Sequence, residues 1–199
     1  MRLLLATHNE HKRRELARLM PPGADGARWR LDVLPADVAL PPEDGETFAE
    51  NAFGKARAAA ATGRMTIADD SGIAAAALGG APGVRSARYA GEHASDEQNL
   101  AKLLREAPVG SALEYVCAIV FVDPRSGEER LFEGRCAGRL AAAPRGERGF
   151  GYDPAFVPDD GRDELTMAEL SDAEKDAISH RGRAARALVR WLEQRSPSS

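Results

Sequence analysis

The sequence predicts an α/β fold, and three observations lead to it. Short apolar runs that read as strands alternate with segments whose apolar residues recur at helical spacing. Ser/Thr-x-x-Glu/Gln boxes at Thr47, Ser95 and Ser171 mark three helix starts. Two β-patterned runs flank Pro124 to Gly127, the signature of a hairpin. No internal repeat is present, and no linker is long enough to separate independent domains. The 199 residues therefore read as one domain, either undivided or in two lobes sharing a core.

The elements follow in order. Arg2 to Ala6 is a strand that breaks at Thr7-His8-Asn9. A helix from about Glu10 to Met20 buries Leu16, Leu19 and Met20, and Pro21-Pro22-Gly23 stops it. Trp29 to Leu34 is a second strand, and an acidic, Pro-rich loop runs from Pro35 to Glu46. Thr47 opens a helix through about Thr62, whose alanines suit close packing. Met65 to Ala68 reads as a buried strand ending at Asp69-Asp70-Ser71-Gly72, where Gly72 permits a sharp turn. Gly79 to Gly83 is a turn. Ser95 caps a helix with Leu100, Leu103 and Leu104 on its apolar side. Leu113 to Val122 and Glu129 to Cys136 form the hairpin. Ser171 starts the last helical region, where Ala184, Ala187, Leu188, Trp191 and Leu192 keep helical spacing. The tail from about residue 195 reads as frayed.

Composition narrows the function. A hydrophobic content of 43% supports a core, and no run is long enough to span a membrane. The N-terminus lacks the length and cleavage site of a signal peptide. Cys117 and Cys136 have no CxxC spacing and read as reduced structural thiols, which points to the cytoplasm. A net charge of −4 argues against a general nucleic-acid binder. Of 27 basic residues only Lys12, Lys55, Lys102 and Lys175 are lysines. Where arginine is the default, a retained lysine marks a place that wants a compact ammonium. Asparagine is equally scarce: Asn9, Asn51 and Asn99.

Four segments carry site chemistry beside the Asp-Asp-Ser-Gly run. The first is Thr7, His8, Asn9, Glu10, His11 and Lys12, between a strand and a helix. Open amides at a helix start attract an anion, though Asn9 as an ordinary N-cap explains the same residues. No Walker A glycines are present. The second is Glu43 with Lys55. Glu43 is either a divalent-metal ligand beside one aspartate of the pair or part of a solvated acidic loop. The third is Gly149 to Pro154, which presents Phe150 as a stacking surface and Asp153 as an acceptor, or forms a tight turn with a core aromatic. The fourth is Lys175 to Arg181, where His180 and Arg181 offer donors to a base edge. No nucleophile elbow accompanies His180. Phosphate donors, metal carboxylates, an aromatic shelf and base-edge donors together describe a site for a nucleoside triphosphate with its metal.

At this point the chain resembles the inosine/xanthosine triphosphate pyrophosphatases, house-cleaning enzymes for deaminated purine nucleotides. The matching segments are Leu5 to Lys12, Thr47 to Ala52 with Lys55, Ala68 to Gly72, Leu78 to Gly83, Ser86 to Gly91, Gly149 to Pro154, Ala168 to Leu170 and Ser179 to Arg181. Each is weak alone, and eight in order make a specific match.

The resemblance implies a mixed central sheet flanked by helices, with two lobes and an active-site cleft between them. It implies hydrolysis of inosine, deoxyinosine and xanthosine triphosphates to the monophosphate and pyrophosphate, with Mg2+ as cofactor. Thr7, Asn9, Lys12 and Lys55 would face phosphate, with His8, Glu10 and His11 completing the loop. Glu43 and Asp70 would hold magnesium, Asp70 would be the general base, and Ser71 would touch substrate. Phe150, Gly151, Tyr152 and Asp153 would pack on the base, and Lys175, His180 and Arg181 would surround it. His8 and His11 depart from the glycines frequent in the family. The family is typically homodimeric, so a homodimer is expected, without nucleic-acid or membrane partners. A pyrophosphatase for other modified or pyrimidine nucleotides and a nucleotide sensor without turnover are the alternatives.

Overall fold

The computed structural model describes residues 1–21 and 29–195. The expected stop at Pro22-Gly23 and the expected frayed tail beyond residue 195 lie outside the described residues. The strands are β1 (Arg2–Leu5), β2 (Arg30–Val33), β3 (Thr66–Ala75), β4 (Ala112–Asp123), β5 (Glu128–Leu140) and β6 (Phe156–Pro158). The helices are α1 (Glu10–Leu19), α2 (Phe48–Ala60), α3 (Asp96–Glu106), α4 (Asp172–Ile178) and α5 (His180–Gln194). The strands form one six-stranded sheet in the order β2-β1-β3-β4-β5-β6. β1 pairs in parallel with β2 and β3, whereas β5 and β6 are antiparallel, so the sheet is mixed.

The chain forms two compact units. One comprises Met1–Asp70, Cys117–Glu133 and the chain from Arg183, and the other comprises Ser71–Val116 and Gly134–Gly182. The chain passes between them at Asp70/Ser71, Val116/Cys117, Glu133/Gly134 and Gly182/Arg183. These junctions lie inside β3, β4, β5 and α5, which is why the sequence contains no linker signal.

The first unit has two apolar clusters, and the strand alternation explains them. Leu3, Leu5, Ile67, Cys117, Ile119 and Phe121 join α1 and α5 through Leu16 and Leu188. Their neighbours Leu4, Ala6, Ala68, Ala118, Val120 and Val122 join the alanines of α2. Successive strand residues point to opposite faces, so continuous apolar runs are buried on both sides. Ala52, Ala56 and Ala59 are fully buried, and their small side chains let α2 lie close to its strands. The second unit has its own core, which includes Ile73, Leu103, Tyr115, Leu140, Tyr152 and Phe156.

All three capping boxes form. Thr47, Ser95 and Ser171 each accept from the third helical amide while the Glu or Gln side chain returns to the cap. The final helical region breaks at Ser179, whose Oγ accepts from the Gly182 amide at 3.0 Å and caps α5.

One local expectation is corrected. The Asp69 to Gly72 run does not end a strand or turn, because β3 continues through it to Ala75. Gly72 is outside the positive-φ glycines of the chain. It serves close approach instead: a Cβ there would lie 2.3 Å from Ser86 Oγ and 2.7 Å from the Gly83 carbonyl.

Candidate active site

The first set of site residues belongs to the first unit. β1 delivers Thr7, and Asn9 caps α1. Thr7 Oγ1 accepts from the Asn9 amide at 3.1 Å. Asn9 Oδ1 accepts from the amides of His11 and Lys12 at 2.9 and 3.1 Å. Those two amides, expected to be open to an anion, are thus taken by the Asn9 carboxamide, because Asn is among the strongest N-caps. His8, Glu10 and His11 are exposed at the same turn. Lys12 projects from the first turn of α1, with Nζ 3.3 Å from Asp69 Oδ2 and 3.9 Å from Asp70 Oδ1.

Glu43 precedes α2, and Lys55 lies two turns into that helix. The Lys55 ammonium donates to Glu43 Oε1 and, at 2.6 Å, to the Asp69 carbonyl. It also stands 3.9 Å from Asp70 Oδ1. Asn51 was not among the sequence candidates. Its Nδ2 donates to Asp70 Oδ2 at 2.9 Å and its Oδ1 accepts from the Gly45 amide at 2.8 Å. A signal existed: Asn51 is one of three asparagines and sits four residues before Lys55, on the same helix face.

Two ammoniums therefore meet three carboxylates, those of Glu43, Asp69 and Asp70. Asp69 is fully buried and Asp70 nearly so. Burial pushes the Asp70 carboxyl above its ordinary value, outweighing the pull of Lys12 and Lys55. At Glu43 burial also pushes upward, but the charge and hydrogen bond of Lys55, then Lys12, hold the carboxyl below its ordinary value.

The donor set fits a hard divalent ion. Glu43 and Asp70 already share one ammonium, a cation between two carboxylates. Among the described residues no group of three or more His, Cys, Asp or Glu side chains gathers as a metal cage. Magnesium accepts that economy, because it takes one or two carboxylates and completes its shell with water and phosphate oxygens.

The second set belongs to the second unit. Ser71 follows Asp70 on β3, and its Oγ accepts from Arg181 Nη2 at 2.7 Å. Asp153 is buried and gathers three donors: the Phe150 amide at 2.9 Å, Lys175 Nζ at 2.5 Å and the Tyr115 hydroxyl at 3.2 Å. Gly149 is obligatory beside it, with φ +75° and only 2.1 Å between a built Cβ and Asp153 Oδ2. The half-buried Phe150 ring lies under two cations, 5.3 Å from Lys175 Nζ and 5.7 Å from Arg181 Cζ. His180 stacks on Tyr115 with centroids 4.5 Å apart and planes 6° from parallel.

Phe150 to Asp153 therefore divide their work. Phe150 joins Lys175 and Arg181, whereas Asp153 holds the loop closed from within. Gly151 donates its amide to Asp96 Oδ2 at 2.8 Å. Tyr152 is core, and its hydroxyl donates to the Ser86 carbonyl at 2.7 Å. Sequence reading missed Tyr115, Ser86 and Asp96. These partners lie far along the chain from the loop they support, and no local pattern announces them.

Comparisons with known proteins identify the relatives of this chain. A sequence model of the Ham1 family matches residues 3–191. A dITP/XTP pyrophosphatase from Mycolicibacterium paratuberculosis is 49% identical, covering 96% of this chain and 95% of its own. One of the same name from Symbiobacterium thermophilum is 49% identical over 97% and 94%. A HAM1 protein structure from Coxiella burnetii superposes with a TM-score of 0.86 at 36% identity, covering 98% of this chain and all of its own. The dITP/XTP pyrophosphatase structure from Mycobacterium abscessus gives 0.73 at 43% identity, covering 95% and 99%. The chain belongs to the Ham1 family.

Proposed function

We propose that this protein hydrolyses deaminated purine nucleoside triphosphates, those of inosine, deoxyinosine and xanthosine, to the monophosphate and pyrophosphate. The observation that carries the reading is the buried cluster in which Lys12 and Lys55 flank Asp70. An acid held above its ordinary value beside two phosphate-sized cations suits proton transfer at a polyphosphate. The names of the relatives, dITP/XTP pyrophosphatase, support the same substrate class.

In this reading Lys12, Lys55 and Thr7 bind phosphate oxygens, and Asp70 takes a proton from the water that attacks the α-phosphorus. The pyrophosphate leaves as the α–β bridge breaks, and the ammoniums stabilise its charge. Magnesium, held by Glu43 and Asp70, would supply a Lewis acid for the phosphate oxygens. The second set receives the base. Lys175, Arg181 and His180 offer donors to a 6-keto oxygen, where adenine presents an amino group that donates instead. A site built for a substrate's hydrogen bonds rejects such an analogue by about 10⁴. Ser71, held by Arg181 Nη2 within the second set, touches the substrate. The reading includes a homodimer acting in the cytoplasm. Light scattering during gel filtration tests the dimer.

A substrate panel with magnesium, scored for pyrophosphate, tests the function. Inosine triphosphate should be turned over far faster than ATP, with pyrophosphate as the phosphorus product. Primary release of orthophosphate, or a preference for ATP or pyrimidine nucleotides, would overturn the assignment.

A further inference from the structure

We propose that Asn51 is a positioning residue that locks the two metal-binding carboxylates into register, and that Gly45 exists to admit its carboxamide. The inference rests on the reading of Glu43 and Asp70 given above.

Asn51 is 5% exposed and lies on α2, one turn before Lys55. Its two polar atoms face two different elements. Nδ2 donates to Asp70 Oδ2 at 2.9 Å on β3, and Oδ1 accepts from the Gly45 amide at 2.8 Å in the loop that carries Glu43. One planar group thus spans the strand that supplies one carboxylate and the loop that supplies the other. Asp70 Oδ2 is committed to the amide, while Oδ1 is the oxygen that stands 3.9 Å from both Lys12 and Lys55. Asn51 accordingly decides which oxygen of Asp70 the cations meet. A carboxylate free to rotate would present either.

The loop has made room for this. A Cβ built at Gly45 lies 2.7 Å from Asn51 Oδ1 and 2.8 Å from Glu50 Cβ, so any side chain there displaces the carboxamide. The backbone of Gly45 is not in the left-handed region, so conformational freedom does not explain the glycine. Close approach to Asn51 does. Asparagine is also the only side chain of this shape that both donates to a carboxylate and accepts from an amide. Aspartate keeps the second bond and replaces the first with repulsion. Groups that orient metal ligands in this manner typically contribute about 10- to 100-fold in affinity or activity.

Three variants separate positioning from folding. In Asn51→Asp the Gly45 bond survives and the Asp70 bond does not. In Gly45→Ala the carboxamide is pushed but retained. In Asn51→Ala both bonds are lost. Each is measured for kcat and KM with inosine triphosphate, for Mn2+ affinity without nucleotide by electron paramagnetic resonance, and for thermal unfolding. We expect Asn51→Asp and Asn51→Ala to lose at least about tenfold in kcat and in Mn2+ affinity, with KM within about threefold. Gly45→Ala should fall between them and wild type. Wild-type kcat and Mn2+ affinity in Asn51→Asp would overturn the proposal, leaving Asn51 only a loop anchor. Losses that track the unfolding midpoint across all three variants would overturn it equally. A wild-type protein that binds Mn2+ but does not release pyrophosphate would defeat the functional reading instead, and the Mn2+ comparison among variants would still judge Asn51.

Discussion

Asp70 and Gly72 show how much single residues can decide. Asp70 carries a raised pKa because burial outweighs Lys12 and Lys55. An acid whose folded value exceeds its unfolded value opposes folding at every pH above the unfolded value. A neutral amide of the same shape removes that opposition. Asp70→Asn should therefore lose at least about 100-fold in turnover, the scale of a general base, while its unfolding midpoint in EDTA at neutral pH stays equal or rises. A midpoint several degrees lower would mean that pairing with the two lysines dominates. Gly72 gives the opposite case, with no chemistry and strict sterics. Gly72→Ala places a Cβ 2.3 Å from Ser86 Oγ, and overpacking of this kind costs about 1–3 kcal/mol. Urea unfolding should show that loss. At this scale the lysines were legible in the sequence, because a chain that favours arginine kept them at Lys12, Lys55 and Lys175. Tyr115 was not, and the spacing of Asn51 from Lys55 marked its position but not its role, since the meaning of both lies in partners on other elements.

At the scale of elements, local chemistry was the readable part. The capping boxes at Thr47, Ser95 and Ser171 predicted three helix starts, because the cap is written within four residues. The course of β3 was not readable. Asp, Ser and Gly favour turns locally, and only packing against Ser86 and the Gly83 carbonyl shows that this run stays extended. The junction of α4 and α5 joins cap and site. Ser179 caps α5 through the Gly182 amide, and the first two residues of that helix are His180 and Arg181. Ser179→Ala removes the cap, which costs about 1 kcal/mol, and it lets the first turn fray. The variant should combine a lower unfolding midpoint with a raised KM for inosine triphosphate and a kcat close to wild type. Unchanged KM with lowered stability would confine the cap to folding. Tyr115→Phe probes the other support of His180. The stack survives while the hydroxyl bond to Asp153 is lost. Discrimination between inosine triphosphate and ATP should narrow, with stability lowered by about 1 kcal/mol.

For the whole molecule, the α/β class followed from alternating periodicities, yet the division into two compact units did not. Its four crossings lie inside regular elements, so composition has nothing to mark them. What the whole chain does share is a set of paired carboxylates. Asp32 is held below its ordinary value of 3.8 chiefly by the hydrogen bond from Arg2. At Asp123 burial pushes upward, but Arg195, at 2.7 Å, and the Arg125 amide outweigh it. Glu129 is lowered chiefly by its hydrogen bond from Arg57, and Glu169 chiefly by the Thr166 amide. For an acid lowered on folding, stability is fully present above the unfolded value and is lost as pH falls through the folded one. The unfolded values here are 3.8 for aspartate and 4.5 for glutamate. The contribution of these pairs to stability against urea should therefore hold steady from neutral pH to about 5, then fall continuously below 4.5. The change is best read in Asp70→Asn, which lacks the opposite contribution of the raised Asp70 acid. Of these pairs the exposed ones contribute little, because solvent screens them. Asp123 is 4% exposed and should dominate. Asp123→Asn should lower stability at neutral pH and flatten the acid limb of the curve, so that the two proteins converge as pH falls through the lowered folded value of Asp123. Curves that stay parallel along the whole acid limb would show that the Asp123–Arg195 pair is not a source of the acid sensitivity.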